Sequence, residues 1–416
     1  MFELRDYQKE ISLKANEILD KRGIVYLAMQ VRTGKTLTSL NTAQLFGAKK
    51  VLFLTKKKAI DSIKDDFSKL DFTFELIVIN NESLHLIKEN DFDLIISDEH
   101  HRNGAFPKPN IVTKLIKERF SHLPMIFLSG TPTPESHSQW YHQFWLSNYS
   151  PFKDVNFYKY ANSGNIDISL KYVGYANVKD YSKVSESGLQ FIEQVKNDYV
   201  ISFTQEQSGF TSKVIENIIE VKMKPITYKI AKELKDNNIF QGINDLIIAD
   251  TGAKLMSKLH QLYSGTCILE SDNAIIIDNS KAEFIKERFQ NNKIAIFYKF
   301  QEELVLLKDT FKDNLCFDLD TFNSTNKNIA LQIVSGREGI SLKAADYLIY
   351  LNIDFSAVSY WQSRDRLTTI DRKENNIYWI FAENGIEKQI YKSVMNKKNY
   401  TLSIFKKENN GIKIPN

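Results

Sequence analysis

Gly34-Lys35-Thr36 and Asp98-Glu99 are the residues whose types and spacing could do chemistry in this chain. A Gly-Lys-Thr triplet suits a phosphate group. Backbone N–H groups at a tight loop and a helix N-terminus point at the anion, and the helix dipole adds to their pull. Lys35 can reach the β- and γ-phosphates, and the Thr36 hydroxyl can ligate Mg²⁺. Paired carboxylates at a strand end suit metal-assisted phosphoryl transfer: Asp98 can hold Mg²⁺ through water, and Glu99 can orient or deprotonate the attacking water. His100 and His101 follow at once, but adjacent side chains on a chain leaving a strand point apart, which argues against a shared metal.

These residues need elements to position them. Ile24 to Leu27 is an apolar, β-rich run that enters the Gly34 turn, and a helical pattern follows. The full G-x-x-x-x-G-K-[ST] pattern is incomplete, because Met29 stands where its first glycine would be. One helix earlier, in an amphipathic stretch with Tyr7, Ile11, Ile18 and Leu19, Gln8 can read an adenine edge or simply cap its helix. Val51 to Thr55 is a buried-strand run that opens into Lys56-Lys57-Lys58. A lysine triplet is ordinarily a solvated face, but at the end of a parallel strand it lies where α/β sheets bind ligands. Leu76 to Ile79 ends at Asn80-Asn81, Leu94 to Ser97 ends at the acidic pair, and Met125 to Leu128 runs into Ser129-Gly130-Thr131-Pro132. Strands alternating with helices predict a parallel, doubly wound sheet.

The second half repeats the alternation. Helices are expected from Pro225 to Phe240, Gly252 to Tyr263 and Lys281 to Phe289. The strand Ile294–Tyr298, the helix Gln301–Phe311 and the strands Ile329–Val334 and Tyr347–Leu351 follow. Between the halves, residues 136–210 are rich in aromatics (Trp140, Tyr141, Phe144, Trp145, Phe152, Phe157), read as packing rather than as base-stacking platforms. The polar, turn-rich Gln205 to Gly209 marks the boundary, giving domains of 1–210 and 211–416.

Composition bounds the class. The 416 residues allow two or three domains. A 25% charged and 43% hydrophobic chain is ordinary for a globular protein, and a net charge of +4 permits a polyanionic partner without requiring one. No signal-peptide pattern opens the chain and no apolar run approaches ~18 residues, so the expectation is a cytoplasmic protein with no membrane partner. Cys267 and Cys316 lack metal spacing and read as buried free thiols.

Taken in order, the blocks resemble superfamily 2 helicases and translocases, most closely the Snf2-like branch. Leu4-Arg5-Asp6-Tyr7-Gln8 resembles the opening Gln motif, and Arg32-Thr33-Gly34-Lys35-Thr36 resembles motif I. Asp98-Glu99-His100-His101 has the D-E-x-H form of motif II, and Ser129-Gly130-Thr131-Pro132 is similar to motif III. Gly336 to Leu342 resembles motif V, and Gln362-Ser363-Arg364-Asp365-Arg366 resembles motif VI.

The resemblance implies an α/β fold of two RecA-like parallel-sheet lobes in tandem, with ATP and Mg²⁺ in the cleft between them. It implies catalytic roles for Lys35, Asp98, Glu99, Gln362 and Arg366. Arg5, Gln8, Arg32, Thr33, Gly34, Lys35, Thr36 and Gly339 would contact the nucleotide, and Thr36 and Asp98 the metal. Thr55, Lys56, Lys57, Asn81, Ser335, Arg337 and Ser341 would contact nucleic acid. The implied activity is a nucleic-acid-stimulated ATPase, a double-stranded DNA translocase or helicase acting as a monomer; an RNA helicase and a non-hydrolysing ATP-gated clamp are the alternatives. The small size and Lys/Asn/Ile-heavy usage are associated with phage and AT-rich bacterial genes.

Two departures stand out. Arg32 replaces the usual first glycine of the G-x-G-K-T core, which puts the loop's path there in question. Thr369 stands where motif VI has its second arginine. Either Arg364 or Arg372 swings in, or Arg366 acts alone and turnover is slow.

Overall fold

The computed structural model describes residues 3–173, 176–209, 213–242, 246–336, 340–367, 374–396 and 399–409. The chain divides into two compact units, residues 1–210 and 211–416. Each is built on a six-stranded sheet.

In the first unit the strands are β1 (Ile24–Met29), β2 (Lys50–Thr55), β3 (Glu75–Asn80), β4 (Leu94–Ser97), β5 (Met125–Leu128) and β6 (Val200–Phe203). They lie side by side as β3-β2-β4-β5-β1-β6, and every pair is parallel. The central strands β1, β4 and β5 are almost wholly apolar because both of their faces are covered. Ile24, Tyr26, Met125 and Phe127 enter one core, and Val25, Leu27, Met29, Ile126 and Leu128 enter the other. That is the period-two split expected of a sheet buried on both sides. Parallel strands deliver all their following loops to one edge, so the segments after β1, β2, β4 and β5 meet there. With β5 between β4 and β1, the Ser129 loop separates the phosphate loop from the acidic pair.

Helix α1 (Asp6–Arg22) packs against α2 (Lys35–Phe46). Ser12 ties the two, its hydroxyl reaching the carbonyls of Gln8 at 2.8 Å and Thr38 at 3.1 Å. The aromatic middle segment packs under the sheet face that carries Tyr26 and Phe127, with α3 (Trp140–Trp145) at its centre. Trp140, Tyr141, Phe144, Phe152 and Phe157 are all buried, so they are core and do not offer ring faces to bases.

The second unit uses β7 (Lys213–Val221), β8 (Ile294–Tyr298), β9 (Leu315–Cys316), β10 (Asn328–Gln332), β11 (Tyr347–Tyr350) and β12 (Glu374–Ala382). Their order is β9-β10-β8-β11-β12-β7, again parallel throughout. Two boundaries differ from the sequence expectation. The helix from Pro225 stops at Asn237, because Asn238 takes a left-handed backbone (φ 61°) that caps it. Ile239–Gln241 then pairs antiparallel with Leu246–Ile248. The strand expected to reach Val334 ends at Gln332, and Ile333–Gly336 is helical. Cys267 and Cys316 are free and buried, and burial pushes the Cys267 thiol up to about 11.

Candidate active site

The phosphate loop runs from Gln30 to Gly34 between β1 and α2. Gly34 is the N-cap of α2 and has a left-handed backbone, φ 77°. The positive φ favours glycine there, and a Cβ would in addition push the Gln8 amide aside. Arg32 adopts φ 63°, a left-handed conformation that glycine reaches without the steric cost a side chain adds. Inside the loop the Thr33 hydroxyl donates to Gln30 O at 2.7 Å. Lys35 Nζ donates to the same carbonyl at 3.3 Å.

The opening helix meets this loop directly. Gln8 Nε2 donates to Gly34 O at 3.4 Å, while its Oε1 accepts from Arg5 N at 2.9 Å and so caps α1. The Gln8 amide thus caps its helix, as one of the two uses weighed for it expects, and joins that cap to the phosphate loop. The Tyr7 hydroxyl donates to Thr33 O at 3.2 Å and accepts from Arg5 Nη1 at 3.2 Å.

Across the edge, Asp98 follows β4. The Thr55 hydroxyl donates to its Oδ2 at 2.9 Å. Burial first, and then the neighbouring Glu99, push the Asp98 carboxyl up to about 6, against the pull of Lys35 and Thr55. Lys35 is thus close enough to act electrostatically on Asp98, although the two stand at the ends of strands separated by β5. Glu99 itself has φ 49°, a left-handed backbone rare for a residue with a side chain and common at catalytic turns. That kink turns the chain into the short helix His100–Gly104.

The two histidines go different ways. His101 Nδ1 lies 3.0 Å from Ser129 Oγ and 3.3 Å from Glu99 Oε2, linking the acidic turn to the Ser129 loop. His100 is buried and stacks on Phe127 at 3.6 Å, with Nε2 2.8 Å from Gln143 O and Nδ1 2.8 Å from Ser97 Oγ. A carbonyl can only accept, so Nε2 carries the proton; burial lowers the ring to about 3 and keeps it neutral. Among the described residues, no three or more His, Cys, Asp or Glu gather into a metal site. An ion at Asp98 would therefore draw its other ligands from Thr36, water and phosphate oxygens, as Mg²⁺ commonly does.

In the second unit Arg366 is buried, with Nε donating to Gln362 O at 3.0 Å and Nη1 to Ile340 O at 3.3 Å. Gln362 is buried too, and its Oε1 has no hydrogen-bond partner among the described residues. Arg364 lies 3.2 Å from Glu216 of β7 and covers the Trp361 ring at 4.7 Å. Glu216 also accepts from Tyr360, Trp379 and Tyr391. Arg364 is therefore held by the partly buried Glu216 carboxylate. Arg337, Gly339, Thr369 and Arg372 lie outside the described residues, as does the Ser335 side chain.

Residues 1–71 match the family model described as the type III restriction enzyme, res subunit. No curated protein matches the chain. Among solved structures it is similar to the Sulfolobus solfataricus SWI2/SNF2 ATPase core domain, at 15% identity and a TM-score of 0.42, over 95% of this chain and 89% of that one. The family match covers the segment that carries α1, β1, the phosphate loop, α2 and β2. Among the described residues, no helix is long and apolar enough to cross a membrane.

The residues assigned to nucleic acid fall into two groups. Lys57 and Ser341 are exposed and Lys56 is half-buried. Thr55 and Asn81 are buried, the first under Asp98 and the second donating to Thr55 O at 3.1 Å, so they support the acidic pair from below. The motifs leave out Gln143, Gln205 and Glu216, which no local signal marks: their partners lie more than a hundred positions away.

Proposed function

We propose that this chain is an ATP-dependent nucleic-acid motor, a double-stranded DNA translocase or helicase working as a monomer in the cytoplasm. The observation that carries the reading is the meeting of Lys35, Asp98 and Glu99 at one sheet edge, beside a glycine-capped helix N-terminus. That set fits a nucleoside triphosphate with Mg²⁺. Arg32, Thr33 and Gly34 form the cradle, Lys35 and Thr36 hold phosphate and metal, and Arg5 and Gln8 face the base. Bound Mg²⁺ neutralises phosphate charge as phosphoryl transfer proceeds. Asp98 holds that ion, and Glu99, fixed by His101, orients and deprotonates the attacking water. Gln362, Arg366 and Gly339 are the candidate catalytic and nucleotide-contacting residues of the second unit. Lys56 and Lys57 would contact nucleic acid from the first unit, with Thr55 and Asn81 as support, and Ser335, Arg337 and Ser341 are the candidates in the second unit.

Phosphate release measured with duplex DNA, single-stranded DNA, RNA and no polymer tests this. Duplex DNA should stimulate most, and Glu99→Gln should bind ATP normally yet turn over at least about 100-fold more slowly. Stimulation by RNA alone would point to an RNA-remodelling enzyme. Tight ATP binding without phosphate release under any condition would leave a nucleotide-gated clamp.

A further inference from the structure

The segment read from sequence as a domain boundary is hydrogen-bonded to the phosphate loop. Phe203 ends β6 in register with Met29, and its carbonyl accepts from Gln30 N at 2.9 Å. Two residues on, Gln205 N donates to Gln30 Oε1 at 2.7 Å, and Gln205 Nε2 donates to Val31 O at 2.9 Å. The Tyr7 ring stacks on Phe203 at 4.8 Å. Beyond this clamp the chain is tied to itself: Thr204 N donates to Gln207 Oε1 at 2.8 Å, and the Ser208 hydroxyl to Gln205 O at 2.7 Å. The turn reaches Gly209 at φ 88°, and β7 of the second unit begins at Lys213.

Val31 O, the acceptor of the Gln205 side chain, immediately precedes Arg32. A left-handed backbone at a residue with a side chain persists only where the surroundings over-determine it. The Gln205 amide supplies such a restraint at the adjoining peptide. We infer that Gln205 is a positioning residue for nucleotide binding: it holds the strained phosphate loop in its binding path and ties that loop's state to the segment connecting the two units. This rests on the reading of the Lys35 loop as a nucleotide site. It adds that the connector is part of that site's support, so that a ligand seated in the loop also orders residues 203–209.

The test uses the full chain and three variants: Gln205→Met, which keeps length and loses the donor, Arg32→Gly, and the two combined. Binding of a fluorescent ATP analogue with Mg²⁺ is measured alongside steady-state turnover and amide exchange over residues 203–209. Gln205→Met should raise the Kd and KM for ATP by about 5–20-fold with kcat within about twofold, a split that general destabilisation does not produce. Nucleotide should slow exchange in residues 203–209 of the parent and much less in Gln205→Met. In the Arg32→Gly background the Gln205→Met effect should shrink to under about twofold, because glycine does not need the restraint. Unchanged affinity and exchange in Gln205→Met, with a parent that binds ATP, would overturn the inference alone. A parent that binds no ATP would overturn the site reading and this inference with it.

Discussion

Arg32 holds a left-handed backbone in the phosphate loop. Its φ of 63° places a long side chain in a conformation that costs about 1–3 kcal/mol outside glycine. Arg32→Gly should therefore raise stability by about 1 kcal/mol in denaturant unfolding, less whatever glycine's added freedom takes back in the unfolded chain. A loss of stability would mean that the Arg32 side chain contributes more than its backbone costs. Asp98 gives the second prediction at this scale. With its carboxyl raised to about 6, the folded chain binds a proton more readily than the unfolded chain between about pH 4 and 6. This group's contribution to the ligand-free protein's stability is thus present at low pH and lost as pH rises through about 6. Metal binding runs the other way, because only the carboxylate holds Mg²⁺. Mg²⁺-dependent nucleotide affinity should fall on acidification below about pH 6, and Asp98→Asn should remove that dependence.

At the scale of elements, the acidic turn and the Ser129 loop are held by α3 through one amide. Gln143 Oε1 accepts from the Tyr26 hydroxyl at 2.8 Å. Its Nε2 donates to Pro132 O at 2.8 Å and Gln139 O at 3.1 Å, and its backbone carbonyl takes the His100 proton. Strand β1, the chain after β4 and the loop after β5 thus share a hub contributed by a helix outside the sheet. Gln143→Leu would leave the buried Tyr26 hydroxyl without this acceptor, at a cost of about 1–3 kcal/mol. Lower thermal stability together with a several-fold fall in kcat is expected, with ATP affinity retained because the phosphate loop does not use this hub. Thermal melts and steady-state kinetics check it, and unchanged kcat would reduce Gln143 to a packing role.

For the whole molecule, the proposed motor activity gives the second unit a part in turnover, and Arg366 is the residue proposed for it. Arg364 is engaged by Glu216, whereas Arg366 sits on the carbonyls of Gln362 and Ile340. Arg366→Ala should lower kcat by about 10³ while ATP binding survives, in line with arginines that stabilise transferring phosphoryl groups. Substituting Arg364 should instead cost stability, by stranding a carboxylate that also serves Tyr360, Trp379 and Tyr391. Equal turnover in Arg366→Ala and the parent would remove the second unit from the chemistry.

The sequence by itself determined the period and the punctuation: uninterrupted apolar runs for strands covered on both faces, helical stretches between them, and the Gly34, Asp98 and Ser129 segments at strand ends. Those are short-range properties, written within a few residues of where they act, and they suffice for two parallel α/β units and for the placing of Lys35 near Asp98. Only the tertiary structure decided the rest. It showed that Thr55 and Asn81 turn inward to the acidic pair, that Arg364 is spoken for, and that Gln143 and Gln205 brace the two working loops. A glutamine's side-chain amide can donate and accept in any surroundings, so its type says nothing about its partner. The choice is made by strand order and packing, which bring together residues up to 175 positions apart.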